Sequence, residues 1–279
     1  MTAALTLEGV SINFGGIRAL EGVSCEVPAG QLRGIIGPNG SGKTTLLNVI
    51  SRIYPVTAGA IRLFDDDITR WPNHAVARHG VMRTYQRVAL VNQLTVLENV
   101  MLGLHATRRQ GLLDIAFRTP GYRRLERESV DRARETLEFV GIEDLADRKG
   151  DELSGGQMRL VEIARAVVSR PRVLLLDEPA AGLSLVRIDE ISELIRRING
   201  ELGVTVILVE HVLNLVMSLC ERISVLVSGQ LLVESGTPSE VQEDPRVREA
   251  YLGQARARNR QAGGEGTAHG EGETADARA

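Results

Sequence analysis

From residue 5 to residue 30, apolar and branched residues alternate with polar ones, and the pattern is interrupted by Gly15-Gly16 and Pro28-Ala29-Gly30. Alternation with turn-forming punctuation predicts short antiparallel strands joined by turns. The period then changes. Residues 32–36 read as a short buried strand, 37–42 as a glycine-rich turn and 43–52 as a helix, giving a strand–loop–helix unit. From 87 to about 150 the chain is richer in arginine and in helical periodicity. In the charged stretch 123–138 and just past it, Val130, Leu137 and Val140 suit one helix face. A further helix is predicted over 158–169. The runs 173–176 and 204–209 are almost wholly apolar and are separated by a helical segment at 187–199. Strands without polar alternation are buried on both faces, as in a parallel sheet. Two last strands, 223–227 and 230–234, meet across Ser228-Gly229. Beyond Tyr251 no apolar face remains, and 254–279 reads as a disordered tail. The expected class is α/β, with a mostly parallel central sheet and an N-terminal antiparallel β region. One domain spans 1–253: 1–86 and 171–253 form its core, and 87–170 form an inserted helical subdomain.

The 279 residues suffice for one large α/β domain with an insertion and exclude a many-domain machine. With 43% hydrophobic and 25% charged residues, the composition is that of an ordinary globular chain. The most apolar region, 204–220, is broken by Glu210, His211 and Asn214, so no spanning helix is predicted. The first nine residues have neither a basic start nor an apolar signal core, which predicts retention in the cytosol. Cys25 and Cys220 sit in apolar segments without metal-ligand spacing and read as buried free thiols. A formal net charge of −3 gives no global attraction to nucleic acid. Of the 33 basic residues only Lys43 and Lys149 are lysines, which makes the position of Lys43 informative.

Gly37-Pro38-Asn39-Gly40-Ser41-Gly42-Lys43-Thr44-Thr45 matches the phosphate-binding loop at every fixed position. Consecutive backbone amides must curl around phosphate oxygens at a helix start, where glycine admits close approach and the helix dipole favours an anion. Lys43 adds a charge between the β- and γ-phosphates, and the Thr44 hydroxyl suits Mg²⁺. The strand 173–176 runs into Asp177-Glu178-Pro179, two carboxylates at the edge where ligands of open α/β sheets bind. Asp177 is placed to hold Mg²⁺ through its water shell, and Glu178 to orient or deprotonate an attacking water. Leu153-Ser154-Gly155-Gly156-Gln157 combines a capping-box spacing, Ser154 to Gln157, with two glycines that leave the next amides unobstructed. It is either a helix cap without a ligand or a second anion site, redundant within one chain unless it faces another molecule's nucleotide.

Phosphate loop, Leu153–Gln157 motif and Asp-Glu-Pro strand, in that order, resemble the ABC (ATP-binding cassette) ATPases over about residues 5 to 253. The resemblance implies their fold, ATP and Mg²⁺ as ligands, and two cassettes paired head to tail, each nucleotide held between the phosphate loop of one and the signature motif of the other. It implies that Phe14 stacks on adenine, that Gln86 contacts Mg²⁺ where the helical subdomain begins, and that His211 reaches the γ-phosphate. Ser184 departs from the Asp or Asn usual after the Asp-Glu-Pro strand, which bears on coupling across the pair. Residues 14–20, 83–86, 118–124, 177–183 and 250–253 are similar to the longer ATP-binding subunit of branched-chain (hydrophobic) amino acid importers. That likeness implies two transmembrane permease subunits, indirectly a solute-binding protein, and a place at the cytoplasmic membrane face, with coupling through a groove beside Gln86 and residues 87–98. Importers of urea or short amides have similar cassettes. Pore-free repair or ribosomal ABC proteins fit less well: the chain has one phosphate loop, no room for a long coiled coil between 86 and 154, and an acidic balance. A phosphate-loop kinase would leave Leu153–Gln157 and His211 unexplained.

Overall fold

The computed structural model describes residues 2–86, 89–105 and 120–251. The N-terminal alternation folds into β1 (Ala3–Phe14) and β2 (Ile17–Pro28), longer than the short strands expected, turning at Gly15-Gly16. Then come β3 (Leu32–Ile36), α1 (Lys43–Ile50), β4 (Ala58–Leu63), β5 (Asp66–Asp67), α2 (Asn73–Arg78) and β6 (Val81–Arg83). The middle of the chain supplies α3 (Val96–His105), α4 (Pro120–Val140) and α5 (Gly155–Val167). The remainder is β7 (Val173–Asp177), α6 (Leu185–Leu202), β8 (Thr205–Val209), α7 (Leu213–Leu219), β9 (Arg222–Val227), β10 (Gln230–Gly236) and α8 (Pro238–Glu243).

Two sheets form among these residues. One is antiparallel in the order β2-β1-β4-β5, and the other runs β10-β9-β3-β8-β7-β6 with every pairing parallel except β9 with β10. Side chains of successive strand residues point to opposite faces, and the two cores divide accordingly. Leu174, Leu176, Val206 and Leu208 pack with α3, α5 and α6 on one face, while Val173, Leu175, Ile207 and Val209 pack with α1 and the antiparallel sheet on the other. Burial on both sides is what the unbroken apolar runs require.

The helix predicted over 123–138 is α4, and its buried face carries Ser129, Ala133, Thr136, Leu137 and Val140, with Val130 half-buried at its edge. The hydroxyls of Ser129 and Thr136 donate to the carbonyls of Leu125 and Arg132 at 2.6 and 2.8 Å, so these polar residues enter the core already satisfied. The helix expected at 158–169 begins three residues earlier, at Gly155, because Ser154 caps it there. Residues 87–88, part of 118–124 and the tail 254–279 lie outside the described residues.

Candidate functional site

The fully buried strand β3 delivers the chain to the phosphate loop, and α1 starts at Lys43. Gly37 is required by packing: a Cβ there would lie 2.0 Å from the Leu226 carbonyl oxygen. Gly42 precedes α1 at φ 105°, and a Cβ would meet the Ala19 carbonyl oxygen at 2.7 Å. No side chain caps α1, and the amides of its first turn have no partners within the helix. Lys43 is buried, and its Nζ donates to the carbonyls of Gly37 and Pro38 at 2.8 and 3.0 Å. Burial lowers the pKa of this ammonium, while the nearby charges of Glu178 and Asp177 oppose the shift. Ser41 Oγ is buried without a hydrogen-bond partner.

The acidic pair lies at the end of β7. Asp177 is 1% exposed, and Arg83 Nη2, at the end of β6, donates to its Oδ2 at 2.9 Å. Burial pushes the Asp177 carboxyl up and the Arg83 bond pulls it back. Its Oδ1 is buried and unpartnered. Arg83 also donates to Asn48 Oδ1 at 2.7 Å and Ser51 Oγ at 3.2 Å, so α1 and β6 orient the guanidinium together. Glu178 follows at φ 49°, its N–H donating to the Val209 carbonyl at 2.8 Å. Gln86 Nε2 donates to Glu178 Oε2 at 3.0 Å, and His211 Nδ1 stands 3.7 Å from the same oxygen. Glu210 is wholly buried; it accepts from the backbone N–H of Ala180 at 2.7 Å and of His211 at 3.1 Å, which ties the loop after Glu178 to the loop bearing His211. Burial raises its pKa, opposed by those bonds.

These groups surround a cavity of about 700 Å³ lined by Asn39, Gly40, Gly42, Lys43, Thr44, Thr45, Gln86, Glu178 and His211. Its remaining walls are Ile17, Arg18 and Ala19 of β2 and the turn Ser228-Gly229. The fold thus brings residues from six separate stretches to one basin, gathering the loop and its ammonium with a carboxylate and an imidazole. Such a basin can hold a polyphosphate and present a water to its last phosphorus. Gly37, Pro38, Ser41 and Asp177 are buried and do not line it; Pro38 and Ser41 line a neighbouring cavity together with Asn39, Gly40 and Ser228.

Phe14 is placed differently. It does not line this cavity; its ring stands edge-on to Tyr54 at a centroid distance of 5.2 Å, and it is 43% exposed. The five residues Leu153 to Gln157 also lie outside the cavity. Leu153 is buried and Ser154 and Gly155 are exposed. Ser154 Oγ accepts from the Gln157 N–H at 3.4 Å and Gln157 Oε1 accepts from the Ser154 N–H at 2.9 Å, completing the capping box. Ser184 heads α6 without a side-chain cap bond.

Among the buried charges that escaped sequence reading are Arg83, as the partner of Asp177, and Glu210, as the strap between loops. The second had a signal: a carboxylate directly after a five-residue apolar strand must find several donors if it is buried.

Residues 20–181 match the family described as ABC transporter, and residues 234–257 match the branched-chain amino acid ATP-binding cassette transporter family. The chain is 42% identical over 251 residues to the high-affinity branched-chain amino acid transport ATP-binding protein BraF of Pseudomonas aeruginosa, covering 90% of this chain and 98% of that protein. Among solved structures it resembles the ADP conformation of an ATP-binding cassette of an ABC transporter, with 33% identity, a TM-score of 0.78, and coverage of 91% of this chain and 100% of that one. It also resembles a dimeric post-hydrolysis cassette bound to ADP and phosphate, with 29% identity, a TM-score of 0.71, and coverage of 84% and 98%.

Proposed function

Since this chain belongs to the ABC transporter family of ATP-binding cassettes, we propose that it is the ATP-hydrolysing subunit of an importer for branched-chain or other hydrophobic amino acids. The observation that carries the catalytic part is the placement of Glu178, held by Gln86 in the same basin that Lys43 lines. The phosphate loop, Gly37 to Thr45, cradles the phosphates; Lys43 neutralises charge between the β- and γ-groups; Glu178 orients or deprotonates the attacking water; and His211, beside it, reaches the γ-phosphate. The donor set also fits Mg²⁺. Asp177 offers a buried oxygen with no partner, and Thr44 and Gln86 open on the basin. Thr44, Gln86 and, through water, Asp177 would hold the ion, which supplies charge stabilisation at the β- and γ-oxygens. Phe14 is assigned to the adenine, which requires its ring to turn from Tyr54 toward the base.

Ser154 and Gly155, exposed, with Gly156 half-buried beside them and all three outside this chain's own basin, support the paired reading: they close on the nucleotide of a second cassette, identical or related. Among the described residues no helix is long and apolar enough to cross a membrane, so the path for solute belongs to two transmembrane permease subunits, fed by a solute-binding protein. The cassette sits at their cytoplasmic face and moves them when the γ-phosphate joining the pair is lost. The C-terminal match and the BraF likeness favour branched-chain amino acids over urea or short amides.

The test is to isolate the complex from membranes, rebuild it in vesicles and measure leucine uptake driven by ATP. Ser154→Arg fills the capped helix start, and it is expected to suppress uptake and hydrolysis together while leaving ATP binding to the phosphate loop within about twofold. A solitary chain hydrolysing ATP at full rate, indifferent to Ser154→Arg, would refute the paired site.

A further inference from the structure

Arg159 and Glu162 lie on α5, just beyond the capped start at Ser154, and are 4% and 1% exposed. They form a buried pair, Arg159 Nη1 to Glu162 Oε2, at 2.6 Å. A buried pair is no asset to stability as such; apolar packing of the same volume commonly serves as well. What distinguishes this one is where its remaining hydrogen bonds go. Glu162 Oε1 accepts from the Tyr85 N–H at 3.0 Å, Arg159 Nη1 donates to the Tyr85 carbonyl at 2.9 Å, and Nη2 donates to the Gln86 carbonyl at 3.1 Å. All three end on one short stretch beyond β6, where no strand ladder fixes the backbone. The next link is the Gln86 side chain, whose Nε2 holds Glu178 Oε2.

We propose that Arg159 and Glu162 are positioning residues for hydrolysis. They clamp the Tyr85-Gln86 backbone to the helix that begins at Ser154, so that the placement of Gln86, and through it of the Glu178 carboxylate, follows the placement of that helix. The inference rests on the reading of Glu178 as the group that acts on the attacking water. It adds a hydrogen-bonded route, within one chain, from the signature helix to the reaction centre.

Arg159→Lys keeps a positive charge beside Glu162 but replaces a planar fork reaching two carbonyls with a single ammonium. In the full-length chain it is expected to lower kcat about tenfold while the KM for ATP stays within about twofold, the pattern of a lost transition-state interaction. A purely structural residue would instead lower the melting temperature and the active fraction. The decisive comparison is with Gln86→Ala. If the clamp acts through Gln86, the Gln86→Ala/Arg159→Lys double variant is no slower than Gln86→Ala alone; if the two losses multiply, the clamp acts elsewhere and the inference fails. Should Arg159→Lys fold poorly, Glu162→Gln enters the same cycle, since it keeps an acceptor for the Tyr85 N–H but removes the charge that holds Arg159. A wild-type chain without ATPase activity would overturn the functional reading and this inference with it. An active wild type with multiplying losses would overturn the inference alone.

Discussion

Glu178→Gln leaves ATP bound and nearly stops turnover, with kcat falling roughly 10²- to 10⁴-fold, the range for loss of a positioned general base. The substitution is nearly isosteric. A glutamine carbonyl can still accept the Gln86 Nε2 bond now made at 3.0 Å, and the backbone bond to Val209 is untouched, so the basin keeps its shape. What disappears is the charge that draws a proton from water. With hydrolysis blocked, the γ-phosphate persists and the paired, ATP-loaded form accumulates. Light scattering should show a mass near that of two cassettes in the presence of ATP, and single-turnover measurement should show almost no phosphate release. Undiminished hydrolysis would remove Glu178 from the mechanism.

Lys43→Ala acts one step earlier, on binding. Hydrogen bonds involving a charged partner contribute about 1.5–3 kcal/mol each, so losing the ammonium should raise the Kd for ATP by roughly ten- to a hundredfold or more. The loop carries a second consequence, since Nζ also donates to the carbonyls of Gly37 and Pro38 and its removal leaves both without that donor. The empty protein should therefore melt lower as well, and calorimetric titration should be made below that transition. Retention of ordinary ATP affinity in the folded variant would count against the phosphate-loop assignment.

How much of this could be read beforehand depends on the range of the interactions. The strands at 32–36, 173–176 and 204–209 were legible because an unbroken apolar run has few other homes, and the structure buries every residue of β3, β7 and β8. The Ser154 cap was legible because its partner is three residues away. Alternation in the first thirty residues revealed a hairpin but not its neighbour β4, whose opening Ala58-Gly59-Ala60 carries little strand signal and is held by pairing with β1. Arg83 with Asp177 spans 94 residues and Tyr85 with Glu162 spans 77. No local pattern marks such pairs, because burial and partner arise only once the sheet has assembled. The phosphate loop and the acidic strand end were therefore visible as chemistry, whereas the struts holding them were not.

Two residues without glycine's freedom, Glu178 at φ 49° and Ser228 at φ 48°, occupy the left-handed region on the rim of the nucleotide basin. Each such residue carries a conformational penalty of about 1–3 kcal/mol, which the two apolar layers of the sheet must outweigh. The cassette is thus less stable than its core alone would make it, and variants selected only for heat resistance should relax this rim first, gaining melting temperature as they lose turnover.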